Sequence, residues 1–356
     1  MTPKIRLYDL RYQELQSLLD DLGQPSYRAR QIWEWLYVHL ATDFDQMTNL
    51  PKSLRETLAR ETTIGVPQVA DTIRSPDGRT RKDLLQLDDG ETIEAVLMHY
   101  ETRHTACIST QVGCALGCPF CATGQMGFQR DLSAGEIIAQ ALHFARLLQA
   151  QTGEGDGNER LSNVVLMGMG EPLLNYENTL EAIHRLNDQQ GFNLGQRHIT
   201  LSTVGIAPGI QRLAKEELQI TLAISLHAAT DRLRNQLVPI NQRYGLDALF
   251  EACYEYVQRT GRRVSFEWAL IAGLNDTPTQ AQALAARLTG ILAHVNLIPL
   301  NPTQRYAGET SAVTATETFA AILERHGIPC TVRVRRGLDI QAGCGQLRQR
   351  RHHETS

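Results

Sequence analysis

Apolar positions change their period along this chain, and the changes mark out its parts. Leu15, Leu18 and Leu19 recur at helical spacing, and Tyr27-Arg28-Ala29-Arg30-Gln31-Ile32-Trp33-Glu34-Trp35-Leu36-Tyr37 reads as a second helix. Leu50-Pro51 breaks the pattern before another helix, so residues 1–65 read as a small helical domain. From Pro67 to Tyr100 the period shortens to that of strands, with Asp77-Gly78 and Asp89-Gly90 as hairpin turns. Residues 66–99 are therefore expected to form a β-hairpin linker. Strand and helix then alternate. Strand-like runs end near Thr110, Gly168, Thr203, Leu226, Leu270 and Pro299, and helical patterns fill roughly Ser133–Ala150, Thr179–Gln190, Ala207–Glu217, Leu246–Thr260 and Thr277–Leu292. Six βα units over residues 100–340 predict an α/β fold, a parallel sheet curling into a partial (β/α)6 barrel. In such a barrel the functional residues stand at the C-terminal strand ends. A last strand, Cys330–Arg335, leads into a polar segment, 341–356, and Gly153–Asn158 reads as a surface loop.

Composition narrows the class. With 42% hydrophobic and 21% charged residues the chain can bury a sizeable core, which argues against disorder. The start, Met1-Thr2-Pro3-Lys4-Ile5-Arg6, lacks an apolar signal region, and no run of about eighteen apolar residues occurs. A cytoplasmic protein without a membrane segment is expected. Nothing in the sequence demands more than a monomer. Seven cysteines, an odd number, argue against a disulfide scaffold and for reduced thiols that carry chemistry or metal. A net charge of −4 is not the basic balance of most nucleic-acid binders. Arg28 and Arg30 near one end, and Arg333, Arg335, Arg336, Arg348, Arg350 and Arg351 near the other, are either solvated faces or RNA contacts, so charge leaves the partner open. Trp33 and Trp35 are likewise either core or a stacking platform for bases.

The candidate chemistry lies in Gly113-Cys114-Ala115-Leu116-Gly117-Cys118-Pro119-Phe120-Cys121, on the loop after the first barrel strand. Iron–sulfur clusters are normally held by four cysteines. Three leave one iron open, and an open iron can chelate the amino and carboxylate groups of S-adenosylmethionine (SAM). Zinc is the competing reading, since Cys107 could complete a tetrahedral site. The position at a βα strand end favours a reactive cofactor.

Cys114-x3-Cys118-x2-Cys121 is similar to the radical SAM signature. Four longer strings are more selective: Ala106 through Gly124, Met167-Gly168-Met169-Gly170-Glu171-Pro172, Ser225-Leu226-His227, and Ala342-Gly343-Cys344-Gly345-Gln346-Leu347. Together they resemble the bacterial radical SAM adenine-C2 RNA methyltransferases over nearly the whole chain. Those enzymes have dual specificity, for 23S rRNA at the peptidyl-transferase centre and for tRNA at the adenine 3′ of the anticodon. Gly343 stands where alanine is expected, a departure that should matter little.

The resemblance implies a [4Fe-4S] cluster on Cys114, Cys118 and Cys121, and two SAM molecules per turnover. It implies that Cys344 takes a methyl group by displacement and that a deoxyadenosyl radical then takes a hydrogen from that methyl. The carbon adds to the base, Glu94 accepts the C2 proton, and Cys107 attacks the tethering sulfur, forming a transient disulfide with Cys344 that a reductant resets. By the same match Gly170, Glu171, Ser202, Ser225, Leu226, His227 and Asn301 line the SAM site, and flavodoxin or ferredoxin supplies electrons. Read without the match, Glu94 is as readily a solvated strand carboxylate, Ser202 a helix cap and His227 a core histidine. Cys253 and Cys330 read as inert apolar residues, and Cys344 as lying in a flexible exposed turn. Other readings are a methyltransferase directed to adenine C8, of the antibiotic-resistance type, a zinc-stapled RNA-binding protein without catalysis, and a radical SAM activase of another protein.

Overall fold

The computed structural model describes residues 4–151, 159–301, 303, 305–333, 337 and 339–347. Arg335, Arg336, Arg348, Arg350, Arg351 and the loop Gly153–Asn158 lie outside them. The helical front end holds β1 (Ile5–Arg6), α1 (Tyr12–Asp21), α2 (Tyr27–Tyr37), α3 (Lys52–Glu61) and β2 (Thr62–Thr63), with β1 and β2 paired in parallel so that the two ends of this part meet. Its helices bury Leu15, Leu19, Ile32, Trp33, Leu36, Tyr37, Leu54 and Leu58. Trp33 is thus core, whereas Trp35 is half-buried and donates from Nε1 to Asn49 Oδ1 at 2.6 Å.

Next come β3 (Gln68–Arg74), β4 (Thr80–Gln86), β5 (Thr92–His99), β6 (His104–Cys107), β7 (Gln111–Gly113), β8 (Phe128–Asp131) and α4 (Ala134–Gln151). The rest alternates: β9 (Leu161–Leu166), α5 (Tyr176–Asn187), β10 (Ile199–Thr203), α6 (Ala207–Leu213), β11 (Thr221–Ser225), α7 (Asp231–Leu237), α8 (Leu246–Thr260), β12 (Val264–Leu270), α9 (Pro278–Leu288), β13 (Ala293–Pro299), α10 (Val313–Arg325) and β14 (Cys330–Val332). The ten-stranded sheet runs in the order β14-β13-β12-β11-β10-β9-β6-β5-β4-β3. From β6 to β14 every pairing is parallel and every neighbour is the next strand of the series, the singly wound pattern of an open barrel. β3, β4 and β5 extend the same sheet antiparallel beyond β6. The hairpin region is thus the barrel's edge, joined to it by backbone hydrogen bonds. Two helices fall outside the periodic reading. The α7 segment buries only Arg234 and Leu237, so no apolar stripe announces it. In α10, threonine and alanine dilute the stripe of Thr316, Phe319, Ile322 and Leu323.

The register decides what faces what. Lys82, Val96, Cys107, Val165, Thr200 and Thr221 form one continuous row across neighbouring strands, so their side chains share a face. Two residues further along β10 and four further along β11, Ser202 and Ser225 keep to that face, as do Glu267 and Asn296 in register with Ser225. The opposite face carries Leu201, Leu222, Ile224, Phe266 and Val295, all buried. Polar inside and apolar outside is what a barrel with a chemical interior requires.

The helical front end docks on α4 and α5. Arg185 donates to the backbone oxygens of Tyr8 and Asp9, and Trp33 Nε1 donates to Asp188 Oδ2 at 2.7 Å. Replacing Trp33 by Phe removes one hydrogen bond and should cost about 1 kcal/mol, whereas Arg185→Met leaves buried carbonyls unpaired and should cost ~2–3 kcal/mol. Urea unfolding checks both, as a lowered midpoint with unchanged slope.

Candidate active site

The cysteine loop is closed before anything binds to it. β7 and β8 pair antiparallel with residues 114–127 between them, and Cys114 N donates to Gly127 O at 2.8 Å. Gly113, at φ +77°, passes so close that a Cβ would meet Gly127 O at 2.0 Å, which requires glycine there. Around the loop, Leu116, Ala228, Leu237, Val238, Ala269, Ile271 and Leu300 form an apolar collar with Cys114 and Cys118. Burial pushes the Cys114 thiol up to about 12 and raises Cys118 further, with neighbouring Cys121 adding to both. Such thiols ionise when a metal takes them, not before.

Cys114, Cys118 and Cys121 line a cavity together with Gly170, Glu171, Ser202, Ser225, His227, Asn301 and Cys344. Leu226 does not join them. Its side chain is wholly buried on the other side, while its carbonyl accepts from Arg234 Nε at 3.0 Å. The Glu171 carboxylate is spent on backbone: Oε1 accepts from Leu173 N at 3.0 Å and Oε2 from Val204 N at 2.8 Å. It ties the loop after β9 to the one after β10. Burial raises it to about 7 against those hydrogen bonds. Ser202 does not cap α6, whose N-cap is Ile206 with no side-chain hydrogen bond; the neighbouring Thr203 Oγ1 accepts from Gly205 N at 3.1 Å in the turn before the helix. His227, at φ +61°, accepts from Ala269 N at its Nδ1 (3.0 Å), and burial depresses it to about 3, so the ring is neutral with its proton on Nε2.

Cys344 is exposed at this cavity, as expected, and its turn is tied to the cavity wall by hydrogen bonds. Asn301 Nδ2 donates to Cys344 O at 3.0 Å, Ala122 N to Gly345 O at 2.7 Å, and Thr123 Oγ1 to Leu347 O at 2.6 Å. A Cβ on Gly343 would meet the ends of two side chains, Asn301 Nδ2 at 2.7 Å and Gln346 Oε1 at 2.8 Å. Asn301 Oδ1 is buried with no hydrogen-bond partner among the described residues, an acceptor at the cavity wall. Cys107 lies close enough to Cys344 that, after burial itself, Cys344 is the main influence raising its thiol. Glu94 is 1% exposed, far from a solvated strand carboxylate, and its Oε1 lies 3.1 Å from Lys82 Nζ. Among the described residues no three His, Cys, Asp or Glu side chains converge tightly enough to share one metal ion. Three thiols spread round a dry mouth, beside an unsatisfied acceptor, suit a larger cluster that carries an organic ligand.

Residues 5–64 match the model of the ribosomal RNA large subunit methyltransferase N-terminal domain, and residues 108–281 match that of the radical SAM superfamily. The dual-specificity RNA methyltransferase RlmN 1 of Myxococcus xanthus is 51% identical over 96% of this chain and 94% of its own. This chain belongs to the RlmN family of radical SAM methyltransferases. A probable dual-specificity RNA methyltransferase RlmN of Chloroflexus aurantiacus is 50% identical, covering 96% of this chain and 92% of its own. A crystal structure of a radical SAM methyltransferase from Sphaerobacter thermophilus superposes with a TM-score of 0.92 at 49% identity, over 97% of this chain and 99% of that one. Membership brings a [4Fe-4S] cluster and SAM with it.

Three residues of this RlmN-family site escaped the sequence reading. Arg234, wholly buried beside Cys118, donates to the carbonyls of Val204, Ser225 and Leu226, and burial lowers it to about 10. Glu267 was legible as a polar residue alternating in the apolar strand Val264-Ser265-Phe266-Glu267-Trp268. Lys82 carried no local signal. For Glu171 a pH effect follows. Its folded value exceeds the ordinary 4.5, so the apo-protein holds a proton that the unfolded chain has lost, and stability falls as pH rises from about 4.5 to about 7. Glu171→Gln should cancel that slope, so that urea titrations at pH 5 and pH 7.5 differ between variant and parent by about 3 kcal/mol.

Proposed function

We propose that the protein methylates C2 of adenine in 23S rRNA and in tRNA, acting as a cytoplasmic monomer fed by a flavodoxin- or ferredoxin-type donor. The observation that carries this reading is the pair Cys107 and Cys344, two free thiols near enough for Cys344 to raise the Cys107 thiol, with Cys344 on the cavity that the three-cysteine loop lines. A cluster ligand or a core residue needs no such partner. Cys114, Cys118 and Cys121 would hold the [4Fe-4S] cluster, and Asn301, Ser202, Ser225, His227 and the Gly170-Glu171 turn would receive SAM. When bound, the cluster and SAM would supply a 5′-deoxyadenosyl radical, and the oxidised cluster would be the one-electron acceptor the reaction needs.

The chain's own residues do the rest. Adenine C2 is electron-poor and cannot attack a sulfonium, so the carbon must arrive on a protein sulfur. Cys344 Sγ carries it, held at the cavity by the pinned turn. Glu94 takes the C2 proton once the carbon has added. Cys107 Sγ then bonds to Cys344 Sγ. The bond from Cys344 Sγ to carbon breaks, its electron pair stays on the new methyl carbon, and that carbon takes a proton. Two electrons from a thiol reductant return both cysteines to thiols. The apolar collar keeps water from quenching reactive species.

Anaerobic reconstitution with SAM, reductant and protein-free rRNA or tRNA should give a protein with about four irons and RNA containing 2-methyladenosine on nucleoside mass spectrometry. 8-Methyladenosine, or a colourless zinc protein that never releases 5′-deoxyadenosine, would overturn the reading. Cys344→Ala should abolish RNA methylation while SAM cleavage persists, and Cys107→Ala should leave RNA covalently attached, visible as a band shift on denaturing gels that ribonuclease removes.

A further inference from the structure

Lys82 is a lysine where lysines are rarely found. It sits on β4 at 2% exposure, on the barrel face that carries Cys107, with its ammonium 3.1 Å from Glu94 Oε1 and 3.0 Å from the backbone oxygen of Gln341. A buried cation is tolerated only where acceptors and an opposite charge surround it. Gln341 lies three residues before Cys344 and adopts φ +52°, unusual for a residue with a side chain. The turn behind it rests on the same strand: Ala342 N donates to Gly337 O at 2.8 Å, and a Cβ on Gly337 would meet Thr80 Cγ2 at 3.0 Å. Beyond Cys344 the anchors change side, since Asn301, Ala122 and Thr123 all belong to the cofactor mouth. The thiol-bearing segment is therefore strung between the cysteine loop at one end and Lys82 at the other.

We propose that Lys82 is a positioning residue that locks the Glu94 carboxylate and the root of the Cys344 turn into one unit, fixing the spacing between proton acceptor and carbon-bearing sulfur. The inference rests on the roles proposed for Glu94 and Cys344. A base must stand within hydrogen-bond reach of the proton it takes, and small displacements cost large factors in rate. One ammonium satisfying both groups sets that distance without contact to substrate.

The test uses full-length, cluster-loaded Lys82→Met and Lys82→Arg proteins beside the parent, measuring iron content, methylation of Cys344 by intact-protein mass, kcat and RNA KM. Lys82→Met should keep iron and methylate Cys344, with RNA KM near parental and kcat for 2-methyladenosine reduced about 100-fold. Lys82→Arg should recover part of the loss. Lys82→Met should add little to Glu94→Gln, because the two act as one unit. A Lys82→Met enzyme within about threefold of the parent, or losses that multiply in the double variant, would overturn the inference. If Lys82→Met loses iron, Lys82→Gln, still a donor to Gln341 but uncharged, is judged by the same measurements. A parent that makes no 2-methyladenosine would defeat the functional reading instead.

Discussion

Two stretches of chain more than two hundred residues apart in sequence are hydrogen-bonded at the mouth of the barrel, Ala122 to Gly345 and Thr123 to Leu347. Everything chemical in this molecule depends on that seam. It holds the C-terminal turn against the cysteine loop, and so sets Cys344 in the cavity where a cluster and its ligand would react. The loop can serve as a fixed wall because the β7–β8 pair and the Gly113–Gly127 approach have already shaped it. In the proposed reaction that sulfur would meet a radical, a base and a second thiol, and a defined place would serve it better than freedom.

Most of the same region is buried, and burial sets the electrostatics. Burial raises the thiols of Cys107, Cys114, Cys118 and Cys344, lifts Glu171 and depresses His227. The apo-site is thereby kept largely neutral, and charge enters with metal. Arg234 is the exception, a cation held by carbonyls beneath Cys118, where thiolates on iron would bring negative charge. Asn301 serves both sides of the problem. Its amide nitrogen fixes Cys344 and its oxygen waits at the cavity wall, so a ligand there would sense the thiol's position.

Much of this could be read from the chain in one dimension. Period-2 runs and helical stripes report on neighbours a few residues away, which is why the barrel strands were legible and the polar, short α7 was not. The spacing of Cys114, Cys118 and Cys121 is itself a local geometry, a loop short enough to wrap one cofactor. Leu226 shows the limit of reading by motif: within Ser225-Leu226-His227 the strand alternation sends its side chain away from the cavity.

The sequence by itself determined the alternation of elements, the barrel class, the cysteine loop and the glycine positions that loop requires, because each follows from contacts within a few residues. Only the tertiary structure decided that Cys107 comes near Cys344, that Glu94 is buried against Lys82, and that Asn301 holds the C-terminal turn. Those meetings depend on strand order and register. A sheet register shared across strands brings residues together whatever their separation along the chain, and no local pattern encodes the partner.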